Sequence, residues 1–546
     1  MLFIHCILVL VSVVLHASYN TMKIKISIAF AGLLCIALSS FGFPGKQRGD
    51  DDEIIYHIFE RSFFDSNGDN HGDLNGIRQK LDYLQELGVT SILCTPLYES
   101  IYYHNYFAID FKKIDPRYGT LQDYLALIRE LHKRGMKFYM DMETQYVTED
   151  SEWWKGAFGN PKSPFSDYIL WDDKENKKPS TIVYNLTELK GYDGVTHKIT
   201  TANLNSAKSQ EYNYQLFSYW LDPDKDGKFD DGVDGFRLDH MMDNLDNKGT
   251  LPHLFDTFWN PLLTKLRAIN PQIKIVAEQA NWFGLGLDYL QKGGVDRVFG
   301  LRLAFAIRLF RKDLLMANAD STLAMLPPGK EQVVFVENHD VPRFASEVKG
   351  NLAKLKVGCA LNLLMGGVPA IYYGQELGMT GTSAKFGATD ANEIPERQAF
   401  EWYASGQGKG MAYWYKQTGP YKDEFNDDKA NDGISLEEER KDPNSLFNYY
   451  KAMIRLRKSN RAITKGSYKT LINNNNQVFS FIRKDGDKAV IVVVNLSDKD
   501  QAAAVDAPYA QSKKIGQFIG KEIPTVNDGK MPVSLAAYGI AAWTIE

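Results

Sequence analysis

The chain has 546 residues, with a hydrophobic fraction of 44% and a charged fraction of 24%. That describes a soluble globular protein too long for one compact core. Its formal net charge of −5, with no strong basic stripe, excludes a general nucleic-acid binder. Aromatic residues make up 12% of the chain, which suits either large cores or faces for sugar rings.

Two short apolar stretches open the chain, at 7–15 and 28–38, both too short to span a membrane. The second follows Met22-Lys-Ile-Lys25 and leads into small residues at Ser39, Ser40 and Gly42. This is the layout of a secretory signal, so residues 1–43 read as a leader with Met22 as the true start. A lipoprotein anchor at Cys35 is the weaker alternative, because Leu34 is a poor neighbour for lipid attachment. Cys94 and Cys359 lie in apolar segments and read as buried free thiols. Export without disulfides points to the periplasm or surface of a bacterium, with no membrane span in the mature chain.

After a polar linker, residues 54–64 predict a first strand. Next, Asp65, Asn67, Asp69, His71 and Asp73 occupy alternate positions of a glycine-containing loop. Such a loop offers oxygens to calcium, or folds as a solvated Asx-turn. Helical periodicity over 74–87 stops at Gly88, and 91–95 is a short strand ended by Pro96. A helix over 121–133 and a third strand over 137–142 follow. This alternation predicts a parallel sheet with helical crossovers.

Residues 144–200 break that rhythm and read as an inserted subdomain. A helix over 210–221 leads to a second acidic loop with Asp222, Asp224, Asp226 and Asp230, either another calcium site or a charged turn. In 233–240, Phe236 and Leu238 point one way and Arg237 and Asp239 the other, as in a strand with one buried face. The runs 274–278 and 333–340 likewise deliver Glu278 and Asp340 at or past their ends. Carboxylates at the C-terminal tips of barrel strands are where that architecture puts its chemistry.

A sixth strand is expected at 296–304 and an eighth at 369–373, with a long loop over the barrel mouth at 381–429 and a last helix at 445–459. From 460 the runs become short and alternating, as in a small all-β domain. The expected layout is a (β/α)8 barrel over 44–143 and 201–459, an insert at 144–200, and a C-terminal antiparallel β-sandwich over 460–546.

The ordered set Gly235-Phe-Arg-Leu-Asp239, Val276-Ala-Glu278, Glu337-Asn-His-Asp340 and Gly367-Val-Pro-Ala-Ile-Tyr-Tyr-Gly374, with Tyr103-His-Asn-Tyr106, resembles the α-amylase family of glycoside hydrolases. The likeness is nearest to maltogenic amylases, cyclomaltodextrinases and neopullulanases in the opening strand and in 393–402. The resemblance implies that Asp239 is the nucleophile, Glu278 the general acid/base, and Asp340 the holder of the sugar's 2- and 3-hydroxyls. It sets Arg237, His339, Tyr106, His104, Arg343 and Tyr146 at the substrate. It also implies an α-glucan partner, structural calcium and no organic cofactor.

Retaining cleavage needs an ionised and a protonated carboxyl roughly 5 Å apart. Arg237 would keep Asp239 ionised, and burial among carboxylates would keep Glu278 protonated. One segment departs from the pattern. In Asp141-Met-Glu-Thr-Gln145-Tyr146, Gln145 and Tyr146 stand where an Asn-His pair is expected. That leaves double displacement intact and puts subsite geometry and linkage preference in question.

The expected activity is retaining hydrolysis of α-glucosidic bonds, mainly α-1,4, in starch-derived oligosaccharides, cyclodextrins or pullulan. A glucanotransferase with the same chemistry and a non-catalytic glucan-binding protein are the competing readings. Retention of three acids and Arg237 argues against the latter. The sequence leaves the oligomeric state open.

Overall fold

A computed structural model describes residues 53–424, 430–520 and 522–546; the leader, Met22 and Cys35 readings fall outside them. Eight parallel strands close into a barrel: β1 (Ile55–Ile58), β2 (Ser91–Cys94), β3 (Lys137–Met142), β4 (Gly235–Met241), β5 (Lys274–Gln279), β6 (Arg297–Phe299), β7 (Glu331–Val334) and β8 (Val368–Tyr372). Each strand pairs with the next in sequence, and β8 returns to β1. Parallel neighbours need crossovers, and helices supply them. Helix Leu121–Lys133 is one: Thr120 and Asp123 form a capping box, and Tyr124, Leu127, Ile128 and Leu131 are buried. Ile55, Leu93, Tyr139, Val276, Phe299 and Val333 fill the barrel interior. The barrel fold expected from the alternation is therefore present.

Several boundaries differ. The first strand stops at Ile58, and Glu60–Phe63 turns helical with all four side chains buried. The 296–304 run divides into strand Arg297–Phe299 and helix Leu301–Arg308. An apolar run buried on every side has no period to separate strand from helix. β7 ends at Val334, so Asp340 lies on the loop beyond the strand. The 74–87 helix is broken at Lys80 into Leu74–Gln79 and Leu81–Leu87.

The irregular region after β3 is not built from 144–200 alone. Tyr146–Thr148, Glu188–Lys190 and Thr196–Thr201 join Tyr98–Ser100 and Ala108–Ile114, from the β2 side, in one five-stranded sheet. At the C-terminus a five-stranded sheet and the pair Gln501–Asp506 with Lys530–Leu535 share a core that includes Ile482, Ile491, Val493, Val505 and Met531. Cys94 and Cys359 are buried and free. Among the described residues no helix is long and apolar enough to cross a membrane.

Candidate active site

The site starts from an irregularity in β4. Leu238 pairs with Ala277, but the next pair is Met241 with Gln279. Asp239 and His240 together therefore oppose the single residue Glu278, a β-bulge, and His240 adopts φ 43°. The bulge brings Asp239 and Glu278 onto one guanidinium. Arg237, itself buried, donates from Nη1 to Asp239 and to Asp141 (2.7 Å), while its Nη2 lies 2.9 Å from Glu278 Oε2. Asp239 and Glu278 keep 16% and 13% side-chain exposure, enough to be reached from the barrel mouth.

Around this centre, the Tyr106 hydroxyl donates to Asp141 (2.8 Å) and lies 3.0 Å from His339 Nε2, whose ring it stacks on at 5.8 Å. His339 Nε2 is 3.1 Å from Asp340 Oδ1, and Asn338 donates to the other oxygen at 3.0 Å. His104 takes the Tyr106 N–H at 3.1 Å and sits 3.7 Å from Asp390. The structure thus brings Asp239, Glu278, Asp340, Arg237, His339 and Tyr106 into one connected cluster, with His104 one contact behind.

The cluster also contains residues that motif reading passed over. Arg397 reaches Asp340 Oδ1 (3.5 Å), the His339 carbonyl (2.9 Å) and Glu393 (2.7 Å) from the long loop over the mouth. His57 on β1 packs edge-on against His339 at 5.1 Å. Neither offers a periodic signal; only the position of Arg397 inside the 393–402 run could have singled it out.

One arginine faces several acids, so they cannot all be ionised. Burial lifts Asp141 to about 6, Glu143 to about 8 and Asp340 to about 7. Burial also raises Asp239 well above the usual carboxylate range, with the Glu278 and Asp141 charges adding to it against Arg237. Burial acts on Glu278 too, but Arg237 and the His240 N–H, at 3.2 Å, outweigh it and hold that carboxyl low. The Asp239–Glu278 pair therefore shares one proton, and Arg237, which touches both carboxyls, ties their ionisations together. Burial pushes His57 down to about 3, so it is neutral.

Two expected substrate contacts lie elsewhere. Arg343 is fully buried, bonded to Glu337 (3.0 Å) and to the Tyr373 and Glu396 carbonyls (2.6 and 3.0 Å). It holds the β7 and β8 ends together and has no surface to offer a sugar. Tyr146 is 1% exposed, and its hydroxyl meets His240 Nδ1 and Asp246 Oδ1, each at 2.7 Å.

In the first acidic loop the oxygens serve Asx-turns. Asp65 accepts from the N–H groups of Asn67, Gly68 and Asn70, and Asp73 accepts from Ser66 and caps the next helix through Gly76. Asn67 bonds Asp69 at 3.2 Å, and His71 turns its ring to the Asp69 carbonyl. In the second loop the acids that converge are Asp222, Asp224 and Asp231, within 4.8 Å of one another. Asp230 is not of that set, and Asp226 pairs with Lys228 (2.6 Å). Asp231 is buried, and the next residue, Gly232, packs its backbone against the Leu221 carbonyl where a side chain would not fit. Arg129 already bridges Asp224 (3.0 Å) and Asp231 (3.1 Å).

The family model described as the alpha amylase catalytic domain matches residues 57–258 and 302–466, and that of the maltogenic amylase C-terminal domain matches 468–542. Alpha-amylase 3 of Dictyoglomus thermophilum is 28% identical over 465 residues, covering 81% of this chain and 84% of that one. An oligo-1,6-glucosidase of Parageobacillus thermoglucosidasius is 28% identical over 528 residues, covering 82% and 90%. The crystal structure of an alpha-amylase from H. orenii matches with a TM-score of 0.74 at 26% identity, covering 91% of this chain and 100% of that one.

Proposed function

We propose, starting from the fact that the chain belongs to the α-amylase family of glycoside hydrolases, that it cleaves α-glucosidic bonds with retention, mainly α-1,4 bonds in starch-derived oligosaccharides, cyclodextrins or pullulan. The observation that carries this is the single guanidinium of Arg237 touching both Asp239 and Glu278. Two carboxyls held by one guanidinium support the short separation of a retaining pair, roughly 5 Å, over the wider gap that admits an inverting water.

Glu278 gives its proton to the glycosidic oxygen as the bond to the leaving sugar breaks, and Asp239 forms the new bond to the anomeric carbon. Glu278, now a carboxylate, takes a proton from the incoming water, whose oxygen displaces Asp239. The reaction needs the shared proton on Glu278 and the charge on Asp239. Arg237 touches both, so whichever carboxyl holds the proton, the guanidinium faces a charge on the other. Asp340, beside His339 and Arg397, accepts hydroxyls of the same ring as it flattens.

A structural calcium finds its convergent oxygens in the second acidic loop, where Asp222, Asp224 and Asp231 lie within 4.8 Å of one another and the ion would take the place of Arg129 on Asp224 and Asp231. In the first loop Asp65 and Asp73 spend their oxygens on backbone N–H groups. The ion would take no part in the steps above.

The test is hydrolysis of maltooligosaccharides, pullulan and cyclodextrins by the wild type and by Glu278→Gln, with the anomer of the first product read by NMR. Removing the acid should cost on the order of 10²–10⁴-fold in turnover, and the first product should be the α-anomer. Unchanged turnover removes Glu278 from its role, and a β-anomer removes retention. Products from the three substrates also separate α-1,4 from α-1,6 cleavage.

A further inference from the structure

We propose that Gln145 and Tyr146 are positioning residues that clamp the Asp239–His240 bulge of β4, holding Asp239 and Glu278 together on Arg237. The inference rests on the activity proposed above and concerns the two positions that depart from the family pattern.

A bulge releases backbone groups from the ladder and bends the strand that carries it. His240 at φ 43° is a side chain in the left-handed region, a conformation that persists only where its surroundings fix it. Gln145 supplies part of that fixing. Its fully buried amide donates from Nε2 to the Asp239 carbonyl (2.6 Å) and to the His240 carbonyl (3.1 Å). Both bulge carbonyls are thereby tied to the end of β3. The other side of the amide accepts the Thr144 N–H at 2.6 Å, which fixes its orientation.

Tyr146 holds the His240 side chain. Its hydroxyl has one proton, and the carboxylate of Asp246 takes it at 2.7 Å. His240 Nδ1, also 2.7 Å away, must then be the donor to the tyrosine oxygen, which sets the imidazole tautomer. Asp246 lies 3.8 Å from Lys248, which is anchored to Thr181 Oγ1 at 2.6 Å across the irregular region. Tyr146 itself opens a strand paired with Thr201. With its ring pinned, His240 keeps its backbone N–H on Glu278 Oε2 at 3.2 Å. Gln145 thus acts on the nucleophile's own peptide and Tyr146 acts on the general acid through His240. Neither side chain is exposed enough to meet a sugar.

The test is a double-mutant cycle with Tyr146→Phe and His240→Ala, measuring kcat and KM on a maltooligosaccharide. Tyr146→Phe should lower kcat by on the order of 10-fold or more, with KM changed by less than about twofold, because a misplaced reacting group loses transition-state contacts only. In the His240→Ala background the same substitution should have little further effect, since its target is gone. A raised KM with unchanged kcat would mean Tyr146 touches the sugar directly, and equal losses in both backgrounds would mean it does not act through His240. Either overturns the proposal, as does no change at all. If Tyr146→Phe fails to fold, Gln145→Met repeats the kcat-against-KM measurement from the other end of the clamp, with the same outcomes deciding. A wild type inactive on every α-glucoside would sink the activity instead, so the two failures are distinguishable.

Discussion

A buried arginine stands among acids at each end of the barrel, Arg297 at one and Arg237 at the other, and the two keep different company. At the N-terminal end Arg297 donates to Glu53 (2.7 Å), to Glu331 (2.9 Å) and to the Tyr139 hydroxyl (3.0 Å). Glu53 is completed by Ser91 and Tyr139, at 2.6 and 2.8 Å. Burial raises Glu53, but Arg297 and those hydrogen bonds outweigh it, and the carboxyl is held low. At the C-terminal end Arg237 serves Asp141, Asp239 and Glu278 with a single charge. The groups are of the same kinds and differ in ratio. Where cation and buried acid balance, the acid stays ionised and only braces the barrel; where acids outnumber the cation, protons are shared and can move.

That contrast breaks most sharply if the arginines are removed in turn. Arg237→Met should cost on the order of 10²–10³-fold or more in kcat, since charge developing between Asp239 and Glu278 loses its partner. Steady-state kinetics on maltooligosaccharides checks it. Arg297→Met should instead lower unfolding free energy by about 3–5 kcal/mol, the cost of leaving a buried carboxylate unpaired. Its kcat per folded molecule should stay unchanged, and denaturant titration alongside active-site counting would show it. If the two variants exchange these phenotypes, the ratio of charges does not separate bracing from chemistry.

How much of this was legible in the sequence follows from what each feature depends on. Asp239 and Glu278 were readable because a strand's alternation fixes which face a side chain takes. Asp340 was reached through its motif, although its strand ends six residues earlier, at Val334. The bulge was not readable. It is a mismatch between two strands, and β4 alone carries no sign that β5 is one residue short opposite it. Arg343 misled for a related reason: an arginine three residues past Asp340 looks like a ligand to the cleft, whereas its burial under Tyr372 and Tyr373 is decided by β8. In the second acidic loop, spacing selected Asp230, but it is the buried Asp231 that converges on Asp222 and Asp224 in its place, a fold-level outcome that alternation along the loop does not reveal.

The smallest effect separates the two ends by pH. Burial lifts Asp340 to about 7 in the folded chain, with the Glu278 charge adding to it, whereas an unfolded aspartate titrates near ~3.9. A group with a raised carboxyl pKa opposes folding once it must ionise. Its contribution is therefore complete below the unfolded value and is lost as pH rises from there through about 7. Glu53 has the opposite sign. Its folded value is depressed, so its contribution stands above the unfolded glutamate value of ~4.3 and is lost only as pH falls through the lower, folded one. Between about pH 5 and pH 8, then, Asp340 changes its contribution to stability and Glu53 does not. Asp340→Asn keeps the amide in the Asn338 and His339 environment and removes the titration, so its thermal midpoint should fall less over that interval than the wild type's. Parallel slopes in calorimetry would mean that Asp340 carries no ionisation cost into the fold, and that the crowding of acids around Arg237 is relieved at another carboxyl.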